Sequence, residues 1–186
     1  MKKAAVLFPG IGYSVDRPLL YYSGMMAKKQ GYKVIKVPYT GFPPKKPGDP
    51  DMMTEAFQIG RKGAEDILKS SCLEDYDDLI FFSKSVGTAV GASYAADHSL
   101  DDRTRHILYT PLAGTYQVLQ GRGIAFHGTA DPWADDKTII RESRRCNVPL
   151  FTFEGANHSL ETGNFMTDIE NLKVVMKRVY DYLFSE

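Results

Sequence analysis

The chain has no excess of charge of either sign, few cysteines and no long apolar run, and each shortage removes a class of function. Lys and Arg together number 23, Asp and Glu number 23, and the formal net charge at pH 7 is 0. A surface built to neutralise phosphates carries a basic excess, so neither nucleic acid nor an anionic membrane is an expected partner. The 2 cysteines, Cys72 and Cys146, stand in no Cys-x-x-Cys or Cys/His pattern. One pair is too few to staple a chain of 186 residues, so both are read as reduced thiols. The first apolar run, Ala4 to Phe8, stops at Pro9, short of the roughly 7 to 15 residues of a secretory h-region. No other run approaches the roughly 18 residues that span a bilayer, and a cytoplasmic protein is expected. The acidic pairs Asp77-Asp78, Asp101-Asp102 and Asp135-Asp136 lack the histidine or cysteine company of a transition-metal site, and no metal is expected. Gly10-Ile11-Gly12 lacks the third glycine of a dinucleotide fingerprint, and the segment Val37-Pro38-Tyr39 lacks the acidic residue that would hold a ribose. No cofactor is expected.

What is present is the balance of a globular protein, 43% hydrophobic and 25% charged residues, expected as one domain over residues 1–186. Short β-branched or aromatic runs alternate with longer segments of helical period, the pattern of a parallel sheet with helices on both faces. Strands are expected over Ala4 to Phe8, Tyr32 to Val37, Asp78 to Phe82, Arg105 to Tyr109, Gly123 to His127 and Val148 to Phe153. Helices are expected from Pro18 to Gln30, Asp51 to Ser70 (with Met53, Ala56, Phe57, Gly60, Ala64, Ile67 and Leu68 on one face), Val86 to Asp97 and Ala134 to Arg145 (anchored by Ile139 and Ile140). A last helix presents Phe165, Ile169, Leu172, Met176, Val179 and Leu183 as one face, with Thr167 and Glu170 placed as a capping box. The fold class is therefore α/β, a three-layer α/β/α sandwich around a mostly parallel six-stranded sheet. The Pro-rich stretch from Phe42 to Pro50 reads as an extended loop.

In such a sheet, ligands gather beyond the carboxyl ends of the strands. Three of those ends carry reactive side chains. After the third strand comes Ser83-Lys84-Ser85-Val86-Gly87, with Ser85 at the apex of a strand-to-helix turn and small residues two positions to either side. A nucleophile on so sharp a turn needs small flanks, although a serine opening a helix is equally well read as an N-cap. Lys84 beside it is expected to be exposed, the other reading being a bias toward anionic substrates. After the fifth strand comes His127-Gly128-Thr129-Ala130-Asp131-Pro132-Trp133, and after the sixth Gly155-Ala156-Asn157-His158-Ser159. A serine hydroxyl needs a histidine to take its proton, and the histidine needs a carboxylate to hold its tautomer. Ser85, Asp131 and His158 supply those types on three successive loops, with Asp135 as the reserve acid. His127 shares a loop with Asp131 and is read as structural.

On these three motifs the chain resembles the α/β-hydrolase family over nearly its whole length, in the manner of a small lidless serine hydrolase of dienelactone-hydrolase-like esterase type. It departs from the family pattern in placing Ser83 where the first glycine of the nucleophile elbow usually stands. The resemblance implies a sheet that begins at the family's third strand. It implies an oxyanion hole made by the backbone amides of Val86 and Ile11, with Gly12 as the alternative to Ile11; Pro9 has no N–H to give. Thr110 to Arg122 is too short for a helical cap, so the minimal fold without a cap domain and an open site are expected. Gly12, Tyr13 and Trp133 are candidate substrate-binding residues. The expected activity is hydrolysis of a small carboxylic ester or thioester through an acyl-enzyme on Ser85. The alternatives are a noncatalytic binding module on the same fold or, among enzymes, an acyltransferase or small-amide hydrolase.

Overall fold

The computed structural model describes residues 1–44 and 49–185. Its six strands are β1 (Lys3–Phe8), β2 (Lys33–Lys36), β3 (Asp78–Lys84), β4 (Thr104–Tyr109), β5 (Arg122–Gly128) and β6 (Leu150–Phe153). They form one sheet in the order β2-β1-β3-β4-β5-β6, and every pairing is parallel. The helices are α1 (Pro18–Lys29), α2 (Pro50–Leu68), α3 (Val86–Asp97), α4 (Thr115–Val118), α5 (Asp136–Arg145) and α6 (Phe165–Phe184).

Successive side chains of a strand point to opposite faces, and both faces here are apolar. Ala5, Leu7, Ile80, Phe82, Ile107, Tyr109, Ile124 and Phe126 pack with Leu19, Leu20 and Ala27 of α1 and Val175, Val179 and Leu183 of α6. The alternate residues Ala4, Val6, Phe8, Leu79 and Phe81 pack with Ala64 and Leu68 of α2 and Val90, Tyr94 and Ala95 of α3. Leu108 and Ala125 meet Ile139 of α5 on that same side. The result is the expected three-layer sandwich, and the 4-residue α4 is all the helix between β4 and β5.

Four local expectations are corrected. Helix α6 is capped by Asn164, whose side chain accepts from the Thr167 amide at 3.1 Å, so Thr167 lies inside the helix and forms no capping box. The apolar face of α6 is only partly used: Val175, Val179 and Leu183 are buried, whereas Phe165 and Ile169 are 75% and 45% exposed. A periodic stripe marks which face is apolar, not how much of it the sheet covers; the first turns of α6 run beside the loop containing Leu160 and line a groove there. In α5 the second buried position is Ser143, one turn after Ile139, where its hydroxyl donates to the Val148 carbonyl; Ile140 is only partly buried. On α2 the fully buried face is Met52, Ala56, Gly60, Ala64 and Leu68, which leaves Met53, Phe57 and Ile67 at its margin. That helix begins at Asp49, whose carboxylate accepts from the amides of Asp51 and Met52 at 3.1 Å. The loop expected over 42–50 falls in part on residues 45–48, outside the described residues.

Two glycines allow the layers to approach at the carboxyl end of the sheet. A Cβ on Gly87 would lie 2.5 Å from the carbonyl oxygens of both Phe8 and Pro9, and one on Gly10 would lie 2.9 Å from the Ser85 Cβ. Neither neighbour can yield, because both are backbone or backbone-anchored atoms. Gly87→Val is therefore expected to cost about 2 kcal/mol or more, and to lower Tm by about 4–8 °C in a chain of this size; thermal unfolding followed by circular dichroism checks it, and an unchanged Tm would contradict the packing described.

Candidate active site

Ser85 stands between β3 and α3 with φ 57° and ψ −126°. A non-glycine residue there is strained by about 1–3 kcal/mol and persists only where its surroundings hold it. They do so from both sides: the Ser85 amide donates to the Tyr109 carbonyl at 3.0 Å, and the Ser85 carbonyl accepts from the Thr88 amide at 2.9 Å and the Thr88 hydroxyl at 2.5 Å. The Thr88 hydroxyl is itself 2.6 Å from that of Thr115. Ser83, in place of the usual glycine, fits because Gly91 faces it one turn into α3; a Cβ on Gly91 would lie 2.9 Å from the Ser83 Oγ. The Ser85 side chain makes no helix-capping hydrogen bond, which removes the N-cap reading.

Its Oγ instead lies 2.7 Å from His158 Nε2, and His158 Nδ1 lies 2.6 Å from Asp131 Oδ2. A carboxylate only accepts, so Nδ1–H donates to Asp131; Nε2 is left as the acceptor and takes the Ser85 O–H. Asp131 is fixed in turn by the Trp133 amide, which donates to Oδ1 at 2.8 Å. The backbone of His158 is fixed by Thr110, whose hydroxyl donates to the His158 carbonyl at 3.0 Å. The reserve acid Asp135 is occupied elsewhere, as the cap of α5 accepting from the Thr138 amide at 2.9 Å. His127 is buried with Nε2 3.2 Å from Asp136 Oδ1 and has no hydrogen bond to Ser85.

The loop after β1 lies against the same point. Gly10 and Tyr13 exchange both backbone hydrogen bonds at 3.1 Å, closing a turn in which Gly12 has φ 66°. Pro9 has no N–H, and the amides of Gly10 and Tyr13 are spent on each other. The amides of Ile11 and Gly12 thus remain beside Ser85 with no backbone acceptor among the described residues. Val86 opens α3, where the first amides of a helix have no intrahelical acceptor. Ile11, Gly12, Tyr13, Ser85, Trp133 and His158 all border one cavity of about 240 Å³, and the Trp133 ring lies 5.8 Å from that of His158.

Lys84 corrects the sequence reading. It is 1% exposed, not solvated, and its Nζ sits 5.1 Å from the centre of the Tyr13 ring. Alternation along β3 accounts for this: Ile80 and Phe82 face the α1/α6 layer, and two residues on Lys84 takes the same side, where Tyr13 lies. Counting that parity from the buried run Leu79 to Phe82 would have placed it. Burial, helped by the Lys84 ammonium and opposed by Asp131, lowers the His158 pKa from 6.5 to about 4. The imidazole is thereby held neutral, the form that accepts a proton. The Tyr13 hydroxyl, also buried, is pushed up to about 12 and accepts from the Leu19 amide at 3.1 Å. Ser85 is 6% exposed and borders the cavity together with Tyr13 and Trp133, with no cap domain among the described residues. Thr88 and Thr110, which brace the site through backbone carbonyls, left no signal in the sequence pattern.

No protein-family model matches the chain, and no curated protein matches it. Solved structures do. A protein of unknown function from Agrobacterium tumefaciens, proposed to be an α/β hydrolase, is 18% identical with a TM-score of 0.68, over 98% of this chain and 84% of that one. Thermogutta terrifontis esterase 2, solved after phosphorylation by paraoxon, is 17% identical with a TM-score of 0.64, over 98% and 84%. A lidless α/β serine hydrolase from Xanthomonas campestris is 14% identical with a TM-score of 0.63, over 98% and 83%. The chain thus has the α/β-hydrolase fold, in the small form that carries no cap domain among its described residues.

Proposed function

We propose that the protein is a serine hydrolase that cleaves a small carboxylic ester or thioester through an acyl-enzyme on Ser85. The observation that carries this reading is the unbroken hydrogen-bonded chain from Asp131 through His158 to Ser85. Ser85 Oγ attacks the carbonyl carbon, and its proton passes to His158 Nε2. The carbonyl oxygen becomes an oxyanion received by the Val86 and Ile11 amides, each worth roughly 3–4 kcal/mol of transition-state stabilisation. Collapse breaks the C–O or C–S bond while His158 returns the proton to the departing oxygen or sulfur. Water then repeats the sequence on the acyl-enzyme, releases the acid and restores Ser85. Asp131 keeps Nδ1–H in place and stabilises the imidazolium. Gly12, Tyr13 and Trp133 bound the cavity the substrate enters. Thermogutta terrifontis esterase 2 is phosphorylated by paraoxon, and an activated Ser85 has the same reactivity.

Turnover of p-nitrophenyl acetate tests the assignment. Ser85→Ala and His158→Ala are each expected to lower kcat on the order of 10⁴-fold or more, and the double variant to be no worse than either single one, because such residues act as a unit. A Ser85→Ala protein with full activity would overturn it.

The pH profile carries a second expectation. His158 works only when neutral, so kcat/KM should hold steady from pH 7 to about 5 and fall below, with a midpoint near the pKa of about 4. Removing the Lys84 ammonium stabilises the imidazolium, so Lys84→Met should move that midpoint upward. A midpoint that stays put in the folded variant would contradict the electrostatic role of Lys84.

A further inference from the structure

A second cavity, of about 570 Å³, shares Trp133 with the first and is bordered by Val86, the residue after Ser85. Val86 and Ala89 of α3, Met53 and Phe57 of α2, Leu112 beyond β4 and Trp133 border it. Met53, Phe57, Leu112 and Trp133 are only partly buried and, with Ile11, pack against the buried cluster of Met52, Ala56 and Val86. The one carboxylate at the rim, Asp49, is engaged as the cap of α2. Trp133 borders both this groove and the smaller cavity that holds His158, Lys84, Asn157 and Ser159, and so forms the wall between them.

The order of proton transfers decides which half of a substrate goes where. His158 Nε2 must hand its proton to the leaving oxygen or sulfur, so the leaving group departs on the His158 side, where Asn157 and Ser159 also border the cavity. The other substituent of the carbonyl carbon is the acyl chain. With the oxyanion on the Val86 and Ile11 amides, that chain points away from His158 and past Val86. We propose that the groove is the acyl subsite and that the substrates are esters or thioesters of a linear aliphatic acid of medium chain length. This rests on the assignment of Ser85 as nucleophile. The volume is within the roughly 300–1,000 Å³ range of small-molecule sites, and a bound chain covers apolar side chains that are otherwise partly in water.

The test is a series of p-nitrophenyl esters from acetate through butyrate and hexanoate to octanoate. Full burial of a methylene raises kcat/KM about fourfold, equivalent to about 0.8 kcal/mol, so an increase of at least tenfold is expected from acetate to hexanoate. Gly114 supplies the blocking variant: it borders the groove, has helical φ −61° and ψ −24°, and a Cβ added there meets no atom within 4 Å. Gly114→Phe should lower the hexanoate-to-acetate ratio of kcat/KM at least tenfold. Met53→Asp, on a different element, should lower the same ratio and keeps the test decisive if the first variant folds poorly. An active protein with a flat chain-length series, or a ratio that both folded variants leave unchanged, overturns the acyl subsite alone. A folded wild-type protein that turns over none of the esters overturns the nucleophile assignment and this inference together.

Discussion

A serine held in left-handed backbone between a parallel strand and a helix is the constraint on which the rest of this structure depends. The strain at Ser85 is small against the burial of a whole core, but it exists only because the neighbourhood leaves no alternative. Tyr109 on β4 fixes its amide, and Thr88 fixes its carbonyl from within α3. Gly87 lets the β1 backbone pass beneath the first turn of that helix, and Gly10 lets the following loop lie against the serine itself. The close approach that holds the elbow also brings the Ile11 and Gly12 amides to it. Packing and chemistry are set by the same contacts.

The second determinant is electrostatic. His158 is enclosed between a buried ammonium, Lys84, and a buried carboxylate, Asp131, with opposite effects on its protonation. Burial and Lys84 prevail, so the imidazole stays neutral well below the ordinary histidine range. Asp131 contributes direction: it accepts from one ring nitrogen and leaves the other aimed at the serine. On the proposed mechanism a low ground-state basicity costs little, because the imidazolium forms only as the oxyanion forms beside it, and the two charges then stabilise each other.

Much of this was legible in the sequence because it is written locally. Alternation of β-branched runs with helical periods gave the parallel sheet, and the strand ends gave the loops on which Ser85, Asp131 and His158 fall. Asp135 stood as the reserve acid because the helix was expected to open at Ala134; it opens at Asp136, which makes Asp135 its cap. What was not legible is what several distant segments build together. Lys84 looked solvated because a charge is usually solvated; only strand parity betrays its burial. The apolar stripe of α6 named a face without saying that its first turns run past the covered region. The groove beside Val86 joins Met53, Leu112 and Trp133, residues that no window along the chain brings together. Ser83 departs from the usual glycine, and its tolerance depends on Gly91, a compensation visible only when the helix is laid on the strand.

On the proposed mechanism Ser85 is an activated nucleophile because His158 accepts its proton. Intact-mass measurement after exposure to a fluorophosphonate tests it most directly, with wild type, Ser85→Ala and His158→Ala treated side by side. One stoichiometric adduct is expected on the wild-type protein and none on either variant. No adduct on folded wild-type protein, or an adduct that survives Ser85→Ala, would contradict it.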